Sequence, residues 1–450
     1  MKLTPVILAA GQGTRMKSRL PKVLHPILGK PLAWYALEAV RKVTAETPLL
    51  VIGHGADQVR QAFADQARFV IQEQQLGTGH AVLQAEAALR NETDAVIVTY
   101  ADMPLLAAET LQELVAAHQT HAAAITMLTV LARDPRGFGR IVRDQAGNVV
   151  AIVEEAQATP AQLAIRELNP GVYCFRADWL WDALHQIKPA PQKGEYYLTD
   201  LVEIAIAQGQ RVHAIATDDE AQMIGVNTRL HLAEAAAALQ QRINQQWMLA
   251  GVSLVDPATT YIEPGVTIGQ DTTIWPNTHL RGQTAIGENC ALGPNTIIHD
   301  CQVGNGCKVL ASVLEQAVLE DDVDIGPFGH LRKGAHLAHG VHLGNFGEVK
   351  NSYLGPGTKM GHFSYIGDAQ IGAAVNIGAG TITCNFGMDG KKRRTEIGAG
   401  AYIGSDTMLV APVKVGEGAA TGAGAVVTKD VAERTLAVGI PARAIRKLEK

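Results

Sequence analysis

Two rhythms of hydrophobic and polar positions divide the 450-residue chain. Up to about residue 228, short apolar runs alternate with stretches of helical period. The runs VILAA, PLLVIG, AVIVTY and VYCFR read as strands, and ETLQELVAAHQ reads as an amphipathic helix. Alternation of this kind predicts an α/β domain of Rossmann-like character over 1–228, with a mostly parallel sheet between two helical layers. Residues 229–249 contain Ala, Leu and Gln but neither Gly nor Pro, and they predict one linker helix.

From residue 250 to 450 the rhythm changes. Ile262, Ile268, Ile274, Leu280, Ile286, Leu292 and Ile298 follow one another at six-residue steps. After a phase shift the series resumes as Val313, Leu319, Ile325, Leu331, Leu337, Leu343 and Val349. It resumes again as Ile397, Ile403, Leu409 and Val415, then Thr421 and Val427. A helix would need a period of about 3.6 and a coiled coil about 3.5. A six-residue aliphatic period predicts a parallel β-solenoid, three hexapeptides to each triangular coil. Roughly ten coils are expected, each rising ~4.8 Å.

Composition narrows the function classes. With 47% hydrophobic residues, 18% charged residues and a net charge of −5, the chain gives no support to a nucleic-acid or membrane-surface partner. Five cysteines, an odd number without a C-x-x-C pair, fit a reducing cytoplasm better than a disulfide framework. The opening run MKLTPVILAAG stops at Gly11 and is read as a buried first strand, not a leader. No run of 18 apolar residues exists, so no membrane span is expected.

The first strand ends in a glycine-rich turn, Leu8-Ala9-Ala10-Gly11-Gln12-Gly13-Thr14-Arg15-Met16. Glycines there allow backbone N–H groups to approach phosphate oxygens. Met16 stands where a dinucleotide fingerprint needs its third glycine, and two cations follow, Arg15 and Lys22. That combination suits a triphosphate and a departing pyrophosphate; a tight turn without a ligand is the plainer reading. The strand AVIVTY delivers Tyr100, Ala101 and Asp102 to its carboxyl end, where open α/β sheets bind ligands. Asp102 could hold Mg2+ against phosphates, or simply cap a helix.

On the solenoid, Arg332 and Lys350 each follow an inward aliphatic residue and lie 18 residues apart. They therefore stack on one face of adjoining coils, where two cations call for an anion or splay into solvent. His362 lies one coil further on, with Tyr365 three residues later; a lone histidine is most often structural. His330, His336 and His342 recur every six residues, which puts them on successive faces and prevents convergence on a metal. Glu348, 18 residues after His330, is expected to pair with it. The break in the repeat over 384–396 predicts an ejected loop whose run Lys391-Lys392-Arg393-Arg394 faces solvent.

In combination these motifs carry a resemblance. The glycine-rich turn with Pro21-Lys22-Val23-Leu24, then QLGTGHA, then Asp102-Met103-Pro104 resembles the sugar-1-phosphate nucleotidyltransferases. GNFGEVK (344–350), GHFSYIGD (361–368) and NIGAGTITCN (376–385) resemble the hexapeptide-repeat acyltransferases, whose solenoids are left-handed. Taken over its whole length, the chain is similar to the bifunctional N-acetylglucosamine-1-phosphate uridylyltransferase and glucosamine-1-phosphate acetyltransferase family.

That resemblance implies roles for particular residues. Leu8, Ala9, Ala10, Gly11, Gln72, Gly77 and Thr78 would contact the uracil nucleotide of UTP, with Tyr100 and Ala101 beside it. Arg15 and Lys22 would neutralise the triphosphate, while Asp102 and Asn227 (in GVNTR) would bind Mg2+. Gly139, Glu154 and Asn169 would hold the amino sugar of N-acetylglucosamine-1-phosphate. His362 would be the general base of acetyl transfer. Arg332 and Lys350 would grip glucosamine-1-phosphate, helped by Tyr365, Asn376 and the Asn385-Phe386 pair. That pair, with Ala379, Ser405, Ala423 and Arg443, would border acetyl-CoA. Phe386 stands where the family has Tyr, and Ile440 where it has an arginine, for which Arg443 could substitute. A homotrimer is implied as well. Two other readings compete: a sugar nucleotidyltransferase with an inert, oligomerising solenoid, and a scaffold without activity.

Overall fold

Leu3–Ala9 is buried along its whole length and is the third strand from one edge of the first sheet. It pairs in parallel with Leu49–Ile52 on one side and Ala95–Tyr100 on the other. The computed structural model describes residues 1–132, 134–190 and 194–447. They form two compact units, Met1–Leu239 and Gln240–Lys450.

The sheet of the first unit is mixed, which departs from the mostly parallel sheet read in the sequence. Tyr173–Arg176 runs antiparallel to both Ala95–Tyr100 and Ile125–Leu131. Beyond them Glu167–Asn169, Gly139–Arg143 and Val149–Val153 continue antiparallel. A strand buried on both faces is continuously apolar whichever way it runs, so VYCFR does not declare its direction. The reversal matters for the site. It brings Asn169 and Gly171 back beside Tyr100, where a Cβ added at Gly171 would lie 2.5 Å from the tyrosine ring.

In the second unit, strands of two to four residues stack into three parallel faces, and a last five-residue strand, Arg443–Lys447, adds antiparallel to Thr435–Val438. The first face includes Thr273–Ile274 and Ala291–Leu292, the second His279–Arg281 and Ile297–His299, the third Ala285–Ile286 and Gln302–Val303. The aliphatic positions of the repeat point inward and form one continuous core. Burying each Leu or Ile contributes roughly 1.5–3 kcal/mol, and no single coil could close its core alone. One position of the pattern is corrected. Val313 faces outward and Leu314 is the buried member, because the repeat from Val309 to Leu314 is a residue short and the coil from Ile298 to Leu314 spans 16 residues. Threonines entering strands satisfy the corner carbonyl three residues back, as Thr278 Oγ1 does to Trp275 O at 2.7 Å and Thr381 Oγ1 to Gly378 O at 2.7 Å. Residues 385–394 leave the prism between Ile382–Cys384 and Thr395–Ile397, with a bridge from Phe386 to Lys392.

The helix Arg229–Leu249 is more than a connection over its second half. Gln240 Nε2 donates to the carbonyls of Ala258 and Thr260 at 3.0 and 2.8 Å, and Asn244 Nδ2 to those of Pro257 and Thr260 at 2.8 and 2.9 Å. Ile243 and Trp247 pack against the solenoid core. This stretch therefore caps the first coil.

Candidate functional sites

The turn after Leu3–Ala9 is shaped around Lys22. Gly13 adopts φ 63°, and a Cβ there would lie 2.7 Å from Lys22 Cβ. Glycine alone lets the turn pack this closely while holding a left-handed backbone. The Lys22 ammonium forms an ion pair with Asp102 Oδ2 and donates to Asn227 Oδ1 at 3.0 Å. Side chains 80 and 205 residues away thus converge on one cation.

Two cavities meet at this point. The smaller, about 330 Å³, is lined by Leu8, Ala9, Ala10, Gly11, Lys22, Gln72 and Gly77. The larger, about 750 Å³, is lined by Arg15, Gly139, Glu154, Asn169 and Asn227. Thr78, Tyr100, Asp102 and Tyr197 belong to both. Ala101 lines neither: its methyl is buried in the core, and its N–H donates to Leu8 O at 3.0 Å.

The walls are locked by hydrogen bonds. Asn169 Nδ2 donates to the Tyr173 hydroxyl at 2.7 Å and its Oδ1 accepts from Gly171 N at 3.1 Å. Thr199 Oγ1 donates to Glu154 Oε1 at 3.0 Å. Burial, with the charges of Asp102 and Glu154, pushes the Tyr100 phenol well above its usual range. Burial and Glu195 push Tyr197 up to about 12. Both phenols stay protonated as donors at neutral pH, and both report a negative potential that a cation would relieve. The sequence reading missed Tyr197 and Thr199. Their segment, EYYLTD, holds the aromatic and polar residues of a binding loop but lacks the glycine signature that singled out the others.

On the solenoid the residues follow the coil. Leu331 and Val349 are in register, so Arg332 and Lys350 neighbour each other on the second face. Arg332 Nη1 is held by Glu348 Oε1 at 2.8 Å, so the carboxylate, not only a ligand, offsets the paired cations. This corrects the expected pair of Glu348 with His330, which instead meets Glu315 Oε2 at 3.2 Å. His336 and His342 lie on the third and first faces beside Glu320 and Asp324. They do not converge. Tyr365 is in register with Glu348 on the second face, and its hydroxyl lies over Gly367.

His362 occupies the edge between the first and second faces, exposed and without a side-chain hydrogen bond among the described residues. Ala379, Ser405 and Ala423 occupy the same edge in the coils that follow. Gly380 N donates to Phe363 O, Asp406 N to Ala379 O and Gly424 N to Ser405 O, at 2.7, 2.6 and 2.8 Å. Asn376 lies on the adjoining first face, in register with Lys359 and Tyr402. Asn385 and Phe386 are brought to the edge between the second and third faces, where Asn385 Nδ2 donates to Asp368 Oδ2 at 2.5 Å. Arg443 is exposed in a strand paired with Thr435–Val438. In the ejected loop Arg393 pairs with Asp389, and Lys391 and Lys392 face solvent as expected.

An α/β unit with a cation-centred cleft, followed by a hexapeptide solenoid, defines a transferase of two parts. Residues 5–250 match the family described as MobA-like NTP transferase domain. Residues 265–300 and 394–429 match bacterial transferase hexapeptide repeats. "Bifunctional protein GlmU" of Heliobacterium modesticaldum is 48% identical over 438 residues, 97% of this chain and 95% of the relative. The proteins of that name from Pelobacter propionicus and Shouchella clausii are 47% and 43% identical, each over 96% of this chain and 95% of the relative. The chain belongs to the bifunctional GlmU family. It is an enzyme with nucleotidyltransferase and acyltransferase activities, and the reading as a scaffold falls away.

Proposed function

We propose that the chain makes UDP-N-acetylglucosamine by two transfers at two sites. The solenoid moves an acetyl group from acetyl-CoA to glucosamine-1-phosphate. The α/β unit then joins N-acetylglucosamine-1-phosphate to the uridylyl group of UTP and releases pyrophosphate. The observation that carries this reading is Lys22, held between Asp102 and Asn227 where the two cavities meet.

In the α/β unit the smaller cavity takes the nucleotide and the larger one the sugar. The sugar phosphate oxygen attacks the α-phosphorus in line with the departing pyrophosphate. Lys22 and Arg15 neutralise charge on the phosphates, and positioning supplies much of the rate. Oxygen atoms of Asp102 and Asn227 already converge on one cation, which suits a hard divalent ion completed by phosphate and water; we assign Mg2+. Bound there, the ion would neutralise phosphate charge. Gly139, Glu154 and Asn169 hold the acetylated sugar.

At the solenoid His362 takes a proton from the glucosamine amine as it attacks the thioester carbonyl. Arg332 and Lys350 hold the phosphate, with Tyr365 and Asn376 nearby. Ala379, Ser405 and Ala423 leave room along the edge for the acetyl-CoA chain, bordered by Asn385, Phe386 and Arg443. Phe328 and Phe346 stack at 5.1 Å on this same edge and are 57% and 61% exposed, which supports a homotrimer that covers it. Five free cysteines support a cytoplasmic setting.

Incubating the chain with glucosamine-1-phosphate, acetyl-CoA, UTP and Mg2+ tests the whole scheme. Free CoA, pyrophosphate and UDP-N-acetylglucosamine are expected. Nucleotide sugar formed only from supplied N-acetylglucosamine-1-phosphate, with no CoA released, would overturn the solenoid half. A monomeric mass by sedimentation would overturn the trimer.

A further inference from the structure

Asn227 is tied down on both sides. One residue before it, Val226 N donates to the Asp102 carbonyl at 2.9 Å. Two residues after it, Arg229 Nη1 lies 3.2 Å from His25 Nδ1. The bond from Asn227 N to His231 Nδ1 is long, 3.4 Å, and leads only into the helix that Arg229 opens. Lys22 Nζ, which meets the Asn227 side chain, sits at the end of a flexible stem. His25 directly follows the turn Lys22–Leu24. Its N–H donates to the Lys22 carbonyl at 3.2 Å, and its own carbonyl accepts from Leu32 N at 3.0 Å. The contact of Arg229 with His25 therefore joins the segment that carries Lys22 to the segment that carries Asn227.

The direction of that bond follows from its partners. A guanidinium has donors only, so His25 Nδ1 accepts, and the neutral ring carries its proton on Nε2. Nε2 has no hydrogen-bond partner of normal geometry among the described residues. His25 is 2% exposed. Burial, then the charge of Arg229, lowers its pKa and favours the neutral acceptor. Arg229 itself is exposed and begins the helix Arg229–Leu249, whose first turn holds no acid. A cation at that end opposes the helix dipole. Its placement is explained by the reach to His25, not by the helix.

We propose that His25 and Arg229 are positioning residues that hold Asn227 opposite Asp102 and so set how tightly the α/β unit binds a divalent cation. The inference rests on reading Asp102 and Asn227 as the metal ligands. Neither member of the pair touches the ion or a substrate in this scheme; both act through the backbone between Asn227 and Arg229. Without the tie, that stretch keeps the Val226 anchor on one side only, and the Asn227 oxygen spreads over more positions. A small hard cation demands its oxygens at fixed, short distances, so this spread costs affinity.

The test titrates the full-length enzyme with Mn2+ in the presence of UDP-N-acetylglucosamine, following free Mn2+ by electron paramagnetic resonance. Arg229→Ala and His25→Ala are each expected to weaken Mn2+ binding about three- to tenfold, the size of one net hydrogen bond. The Mg2+ concentration for half-maximal uridylyl transfer should rise by the same factor, with kcat at saturating Mg2+ and acetyl transfer near wild type. His25→Asn, whose Oδ1 can accept from Arg229, should restore most of the affinity. The double variant should be no worse than either single one, since both break the same tie. Unchanged Mn2+ affinity in Arg229→Ala, or additive losses in the double variant, would overturn the pairing. Arg229 is exposed, so its variant decides the matter even if His25→Ala fails to fold. A merely structural role would lower the melting temperature and leave Mn2+ affinity at the wild-type value. Wild-type enzyme that binds no Mn2+ would remove the metal reading itself, and this proposal with it. That outcome is distinct, because it precedes any comparison of variants.

Discussion

The two sites of this chain are built on opposite plans. In the α/β unit, residues as far apart as Leu8, Gln72, Asp102 and Asn227 are gathered around two adjoining cavities by the topology of the sheet. Nearly every polar side chain there already has a partner within the unit, as Lys22, Asn169 and Glu154 show. On the solenoid, spacing along the sequence is itself the spatial placement. Arg332 and Lys350, or Ala379, Ser405 and Ala423, align because the chain returns to the same edge once per coil. His362 stands exposed on that edge. The first plan preorganises a site inside one chain; the second lays out a row of groups that a neighbouring surface can complete. Damage should therefore stay local in both units, but for different reasons.

The strongest test of this separation is His362→Ala. Loss of the proposed base should lower acetyl transfer by roughly two to four orders of magnitude. Uridylyl transfer from supplied N-acetylglucosamine-1-phosphate should not change, and neither should the melting temperature, since the side chain is exposed. A stable variant that still acetylates normally would remove His362 from the mechanism. The converse variant, Lys22→Ala, should cut uridylyl transfer by about two to three orders of magnitude and spare acetyl transfer. Equal loss of both activities in folded protein would break the two-plan picture.

A smaller effect separates a capped solenoid from one that closes itself. Asn244→Ala removes one donor from each of the carbonyls of Pro257 and Thr260, which keep Gln240 Nε2 as a partner. The second unit should lose about 0.5–1.5 kcal/mol of stability, the net value of a hydrogen bond, readable as a shift of its denaturant midpoint with the α/β transition unmoved. An unchanged midpoint would return the helix to the role of a connector.

How much of this could be read beforehand follows from the same contrast. The aliphatic column was legible because inward positions recur at a fixed step, and it misled only where a repeat lost a residue and Leu314 replaced Val313. The cap was not legible. Gln240 and Asn244 look like solvent-facing helix positions until the carbonyls beneath them are known. Glu348 was correctly placed in register with His330 but paired elsewhere, since register brings strands together without choosing side-chain partners. In the α/β unit the glycine-rich turn and Asp102 announced themselves, because glycine and a strand-end acid have few other uses there. Tyr197 did not, because an aromatic residue in a loop is compatible with many environments. Nor did the direction of Tyr173–Arg176, since burial on both faces hides it.

The smallest expected effect compares how each unit responds to acid. Asp200 lies beside the larger cavity's Thr199, at the start of the helix Leu201–Ala207, but its side chain makes no capping bond. Burial, then the charges of Glu203 and Glu154, raise its pKa from 3.8 to about 6. Between those two values the folded chain holds a proton that the unfolded chain has lost. Stability from this group is therefore greatest below pH 4, declines as pH rises, and the penalty is complete above pH 6. Asp200→Asn should relieve it, by about 1 kcal/mol at pH 7 once solvent screening is allowed for. The gain should shrink as pH falls from 7 to 5. On the solenoid the sign is reversed: hydrogen bonds from His336 and the His339 backbone hold Glu320 below its usual value. Its contribution is present above the ordinary carboxylate range and is lost as pH falls further. Melting curves of wild type and Asp200→Asn at pH 5, 6 and 7 decide the matter. A stabilisation that stays constant across the three would mean that Asp200 is not held partly protonated, and that the cavity wall carries no electrostatic cost at this position.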